Sequence, residues 1–164
     1  VDLIAKKYYN NFVNLRTVGF IMENLDKDCL FCKIIRGEIP SYTVFENDDV
    51  KAFLDISQVN PGHTLMVPKK HIVNLFDYTK EDAQRYLQYI PEIANAIKAA
   101  FPNVTAMNIT TNNGKAANQV VMHSHIHFIP RFEGDGLKLM TRNNADKYDE
   151  AKYNEVANKI KAQF

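Results

Sequence analysis

The sequence predicts an antiparallel α+β domain. Three observations carry this: short β-branched runs set off by turn residues, one long stretch with apolar residues at helical spacing, and a charged C-terminal stretch with an apolar stripe. The chain has 164 residues, the size of one domain. Twenty basic residues against nineteen acidic ones give +1, far from the basic excess of a nucleic-acid binder. No apolar run approaches the roughly 20 residues needed to span a bilayer. Two cysteines cannot build a disulfide framework, and their C-x-x-C spacing points to metal or redox chemistry in a reducing, cytoplasmic setting.

The elements follow in order. Residues 1–21 are mildly basic and lack both regular periodicity and a secretory apolar core, so they are expected to be a leader outside the domain, which then spans 22–164. Phe31 to Arg36 predicts one or two helical turns closed by Gly37. Thr43–Glu46 and Val50–Leu54 flank Asn47-Asp48-Asp49 as a hairpin. Asn60-Pro61-Gly62 is a turn, and His63–Val67 a strand ended by Pro68. Thr79 to Asp82 reads as a capping box. From Ala83 to Ile97 the apolar spacing predicts one long helix, kinked at Pro91. Val104–Thr111 and Gln119–Ile129 are predicted strands, joined through a turn at Asn112-Asn113-Gly114, with Pro130 ending the second. Ala145–Phe164 predicts an amphipathic helix.

Three of the five histidines, His123, His125 and His127, alternate along the last predicted strand. A strand puts such residues on one face, about 6.5–7 Å apart. Met122, Ser124, Ile126 and Phe128 then face the other way, most of them apolar enough to pack under a helix. Three imidazoles in register are hard to satisfy as plain core, since each ring has two nitrogens to pair. They can be metal ligands. Alternatively, one neutral imidazole can be a nucleophile toward phosphorus, its neighbours holding the substrate anion. Asn112, Gly114 and Gln119 lie where amides can hold phosphate oxygens.

The run from Asn112 through Gln119 and His123-Ser124-His125-Ile126-His127-Phe128-Ile129 to Arg131 resembles the histidine triad (HIT) family of nucleotide hydrolases and transferases. So do Cys29 to Pro40, Ala52 to Ser57 and Gly62 to His71. The resemblance implies a HIT-like fold and a two-fold homodimer. It implies a purine nucleotide attacked at its α-phosphate by His125, giving a nucleotidyl-histidine that water hydrolyses. In this likeness a main-chain carbonyl near His123 orients His125. His127 contacts the phosphate and leaving group, and Gln119 the phosphate oxygens or water. Asp55 takes the ribose hydroxyls, Asn112 helps at the phosphate end, and Phe31, Ile34 and Phe53 wall the base. The last three fit plain core equally well, and Asp55 also suits a turn cap. Asn118 departs from the glycine usual there, at a position where positive φ suits asparagine better than most residues.

Cys29 and Cys32 supply half of a tetrahedral site. The resemblance completes it with His71 and His123, a closed Cys₂His₂ set suited to structural zinc. His63 is expected to be a structural strand residue. Two rival functions stay open at this point: a zinc hydrolase using all three triad histidines, and a nucleotide-binding adaptor without turnover.

Overall fold

The computed structural model describes residues 24–138 and 143–164. The expectation for residues 1–21 lies outside them. Helix α1 (Leu30–Ile35) is followed by strands β1 (Thr43–Glu46), β2 (Val50–Leu54) and β3 (Thr64–Pro68), helices α2 (Lys80–Leu87) and α3 (Ile90–Ala100), strands β4 (Ala106–Thr110) and β5 (Ile126–Arg131), and helix α4 (Glu150–Lys161). The five strands form one antiparallel sheet in the order β1-β2-β3-β5-β4. This is the predicted α+β architecture.

Strand alternation sorts the sheet into two faces. Val50 and Ala52 of β2, Met66 of β3, and Ile126 and Phe128 of β5 pack with Tyr86, Ile93 and Ile97 of the two middle helices. Phe53, Leu65 and Val67 turn the other way and pack with Phe31 and Ile34 of α1. His127 faces Leu65 across the β3–β5 ladder, so it lies on the α1 face.

Local chemistry explains the element ends. Gly37 closes α1 with φ +78°. Its N–H bonds the Ile34 carbonyl and that of Glu38 bonds Lys33, a Schellman closure. Thr79 and Asp82 form the reciprocal capping box of α2. The single kinked helix expected from the sequence is two helices. Pro91 has no N–H for the Leu87 carbonyl, and the chain breaks at Gln88-Tyr89, leaving Pro91 in the first turn of α3.

Two strand expectations also change. Pro130 does not end β5, which runs to Arg131. The β3 ladder stops at Phe128, and past it the Pro130 carbonyl accepts from Asn60 Nδ2, so no partner needs the missing N–H. At its other end β5 begins only at Ile126. Gln119–His125 is loop, because Ser124 is tied to the connection between β3 and α2: its N–H bonds the Ile72 carbonyl and its Oγ the Tyr78 hydroxyl.

Candidate functional site

The α1 face carries a cavity of about 530 Å³, lined by Phe31, Ile34, Phe53, Asp55, Asn112, Asn118, His125 and His127 among others. Phe31 belongs to both core and wall: its ring meets Phe53 edge-on at 5.7 Å and His125 at 5.3 Å. The structure thus brings together every residue proposed for nucleotide contact except Gln119.

Gln119 is put to a different use. Its Oε1 accepts from the Gly114 N–H at 2.7 Å, and its Nε2 donates to the Val73 and Val121 carbonyls. The carboxamide is spent inside the loop, which it ties to the segment after β3. The turn also uses its own amides: Ala117 and Gln119 donate to Gly114 and Asn118 donates to Lys115. Asn118 does adopt the left-handed conformation, with φ +63°.

The histidines do not share one direction. His125 Nδ1 lies 2.7 Å from the His123 carbonyl. A carbonyl only accepts, so the proton sits on Nδ1 and Nε2 keeps its lone pair. His127 lies next to it, ring centroids 4.9 Å apart. The His123 ring lies instead against Cys29 and Cys32. The three rings therefore do not converge on one point.

His63 is the functional candidate the sequence did not reveal. Its Nε2 lies 3.0 Å from His127 Nδ1 and 3.7 Å from Asp55 Oδ2. The Val59 N–H donates to its Nδ1, which places the ring proton on Nε2, donating to His127. His127 then carries its own proton on Nε2. A signal existed, but only after strand order is known. Leu65 pairs with His127, so His63 lies diagonally across the same face.

Burial keeps these rings neutral. It pushes His63 and His125 below the ordinary imidazole range. Burial, with His125 and His63 beside it, pushes His127 down to about 4. Asp55 runs the other way. Although burial opposes ionisation, the Ser57 amide and hydroxyl bond its Oδ1 and hold the carboxyl below its usual range. Asp55 is thus both turn cap and pocket wall, with Oδ2 left toward His63.

A second cluster lies behind the cavity. Cys29 Sγ and Cys32 Sγ are each 3.5 Å from His123 Nδ1, and Cys32 Sγ is 3.3 Å from His71 Nδ1. All four donor atoms lie within 4.8 Å of one another. A tetrahedron with zinc-like bond lengths has sulfur–nitrogen edges of about 3.5 Å, so the residues fit such an ion. His123 Nε2 sits 3.0 Å from the Pro68 carbonyl, which fixes its proton there and turns the Nδ1 lone pair inward. The two sulfurs are unequal without an ion. The neighbouring Cys32 draws the proton affinity of Cys29 far down, and Cys29 in turn raises that of Cys32.

Fold and site together define an antiparallel α+β scaffold that carries a histidine-lined cavity beside a Cys/His cluster. Residues 36–134 match the HIT domain family, and the chain belongs to it. It is 48% identical over 123 residues to Protein hit of Bacillus subtilis, covering 74% of this chain and 84% of that one. It is 41% identical over 114 residues to an adenosine 5'-monophosphoramidase of Saccharomyces cerevisiae, covering 69% of each. Among solved structures, a HIT family member from Bacillus subtilis superposes with a TM-score of 0.79 at 43% identity, over 84% of this chain and 98% of that one. A zinc-bound histidine triad family protein from Mycobacterium smegmatis gives 0.64 at 34% identity, over 73% and 86%.

Proposed function

We propose that this protein hydrolyses or transfers purine nucleotide derivatives at the α-phosphate through a nucleotidyl-His125 intermediate. The observation that carries this is the fixed tautomer of His125: Nδ1–H bonded to the His123 carbonyl leaves Nε2 as a neutral nucleophile in a cavity of nucleotide size. Phe31, Ile34 and Phe53 receive the base, Asp55 the ribose hydroxyls, and Asn112 the phosphate end. His127 presents Nε2–H to the phosphate. An arriving anionic phosphate favours uptake of one proton by the His127–His63 pair, with Asp55 as counter-charge. Nε2 of His125 bonds to phosphorus, the bond to the leaving group breaks, and His127 supplies its proton. Water then displaces His125 and returns a proton to His127. The monophosphoramidase relative supports this reaction class.

Cys29, Cys32, His71 and His123 are proposed to hold a structural zinc ion, supported by the fit of their spacing and by the zinc-bound relative. When bound, zinc would supply a cross-link between the start of α1, the segment after β3, and the loop ahead of the nucleophile. Among the described residues the outer edge of β4 has no strand beside it, which supports the expected two-fold homodimer, joined edge to edge. Among the described residues no helix is long and apolar enough to cross a membrane, and a cytoplasmic setting remains part of the proposal.

The test is His125→Gly against wild type. Turnover of adenosine 5'-phosphoramidate should fall at least about 10³-fold while AMP affinity holds within a few-fold. Quenched wild-type enzyme should show a nucleotide adduct on His125 by mass spectrometry. Turnover unchanged in the variant sinks the reading.

A further inference from the structure

The turn ahead of the histidines holds the one Asn-Gly pair in the sequence, Asn113-Gly114. Such a pair is open to attack by the chain on itself. Glycine carries no side chain to shield its main-chain nitrogen, and that nitrogen can close an imide ring on the carboxamide carbon of the asparagine before it.

Hydrogen bonds sit on both reacting groups. The Gly114 N–H donates to Gln119 Oε1 at 2.7 Å. Asn113 Oδ1 accepts from the Leu75 N–H at 2.9 Å. The Gln119 side chain is held from its other end, where Nε2 donates to the Val73 carbonyl at 2.6 Å and to the Val121 carbonyl at 3.1 Å, and the residue is 3% exposed. The Gly114 nitrogen becomes a nucleophile by giving up its proton. A carboxamide oxygen against that N–H favours the protonated form and disfavours the anion. Leu75 meanwhile restrains the carboxamide whose carbon must come within bonding distance. The imide nitrogen has no hydrogen, so ring closure leaves Gln119 Oε1 a buried acceptor without its donor.

We propose that Asn113 is a site of spontaneous covalent modification, deamidation through a succinimide, and that the Gln119 carboxamide is the guard that keeps it closed. The step balances. Gly114 N bonds to Asn113 Cγ, the Cγ–Nδ2 bond breaks, and the proton from Gly114 leaves on Nδ2 as part of ammonia. Water is the co-reactant and nothing is oxidised or reduced. It opens the ring at either carbonyl, giving aspartate or isoaspartate at position 113. Both products add a negative charge. Isoaspartate also adds one carbon to the main chain between Asn112, which lines the cavity, and Gly114, whose carbonyl accepts from the Ala117 and Gln119 amides. The guard role needs no substrate, so it stands apart from the nucleotidyl-histidine reaction proposed above.

The experiment ages the full chain in mildly alkaline buffer at physiological temperature. Peptide mapping by mass spectrometry follows the gain of about 1 Da at residue 113, and enzymatic methylation of isoaspartyl carboxyls measures the isoaspartate share. Wild type unfolded in guanidinium sets the unguarded rate, and the folded chain should be at least about ten-fold slower. Gln119→Ala removes the acceptor from Gly114 and should speed the folded chain at least about five-fold. Leu75→Pro removes the second donor. Asn74 before it is already extended, as proline requires, and position 75 opens a 3₁₀ turn. It should speed the reaction about three-fold. Melting curves show that each variant is folded; if Gln119→Ala is not, Leu75→Pro and the folded-to-unfolded ratio decide. A folded wild type modified as fast as the unfolded chain overturns the proposal. So do folded variants that age at the wild-type rate, and so does an unfolded chain in which other asparagines react before Asn113.

Discussion

Two clusters of histidine with acidic or sulfur partners lie close together in this molecule, Cys29–Cys32–His71–His123 and Asp55–His63–His127, and each brings its donor atoms within 4.8 Å. Composition alone makes both look like metal sites. Their outer hydrogen bonds separate them. His123 gives its far nitrogen to a carbonyl, that of Pro68, so its inward nitrogen is a lone pair ready for an ion. His63 gives its far nitrogen to a donor, the Val59 amide, so its inward nitrogen carries a proton. This contrast supports the proposal that the first set ligates and the second passes hydrogen bonds toward a substrate. The partner one bond further out decides what an imidazole does.

Breaking the first cluster should have the largest effect. Cys32→Ser removes a fully buried member of the proposed ligand set. Zinc measured by elemental analysis should fall from about one per chain to under about a tenth, and thermal unfolding should drop by about 10 °C or more, as loss of a structural ion costs several kcal/mol. Full zinc content in this variant would refute the ligand set.

The second cluster sharpens the contrast. His63→Phe keeps the ring's bulk and removes its donor. We expect kcat to fall about 10–100-fold with zinc content unchanged, and His63→Gln, which restores an N–H, to recover part of the loss. A variant that loses zinc would show that the clusters are one unit.

Acidity gives a smaller, graded effect. His127 has its proton affinity lowered to about 4 against an ordinary 6.5. Between these values the unfolded chain binds more protons than the folded one. Stability is therefore fully present above pH 6.5 and is lost as pH falls toward 4, by up to about 3 kcal/mol. Denaturant titrations of wild type and His127→Gln should converge across that window. The smallest effect belongs to the start of the chain. Removing residues 1–21 should leave kcat/KM within two-fold and shift melting by under about 2 °C, if the domain begins at Met22 as proposed.

Much of this was legible because it is written locally. The Thr43–Leu54 hairpin, the Thr79 cap and the Gly37 closure depend on residues a few positions apart, and each lies where turn and propensity rules put it. The apolar side of the histidine run was legible too, since Ile126 and Phe128 alternate into the helix-covered core. What was hidden depends on distant partners. Alternation extended the last strand back to Gln119, yet Ser124 is drawn off by Ile72 and Tyr78, more than forty residues upstream. Gln119 carries the amide suited to phosphate, but Val73 and Gly114 claim it. His63 becomes a partner of His127 only because β3 lies beside β5.

His123 touches both clusters with different parts of itself: the ring goes to the sulfur pair, the main-chain oxygen to His125, the proposed nucleophile. Every amino acid has that oxygen. Side-chain mutagenesis at position 123 is therefore blind to the contact that sets the His125 tautomer, and any change it produces at His125 reports how far the peptide has drifted once its anchor is cut.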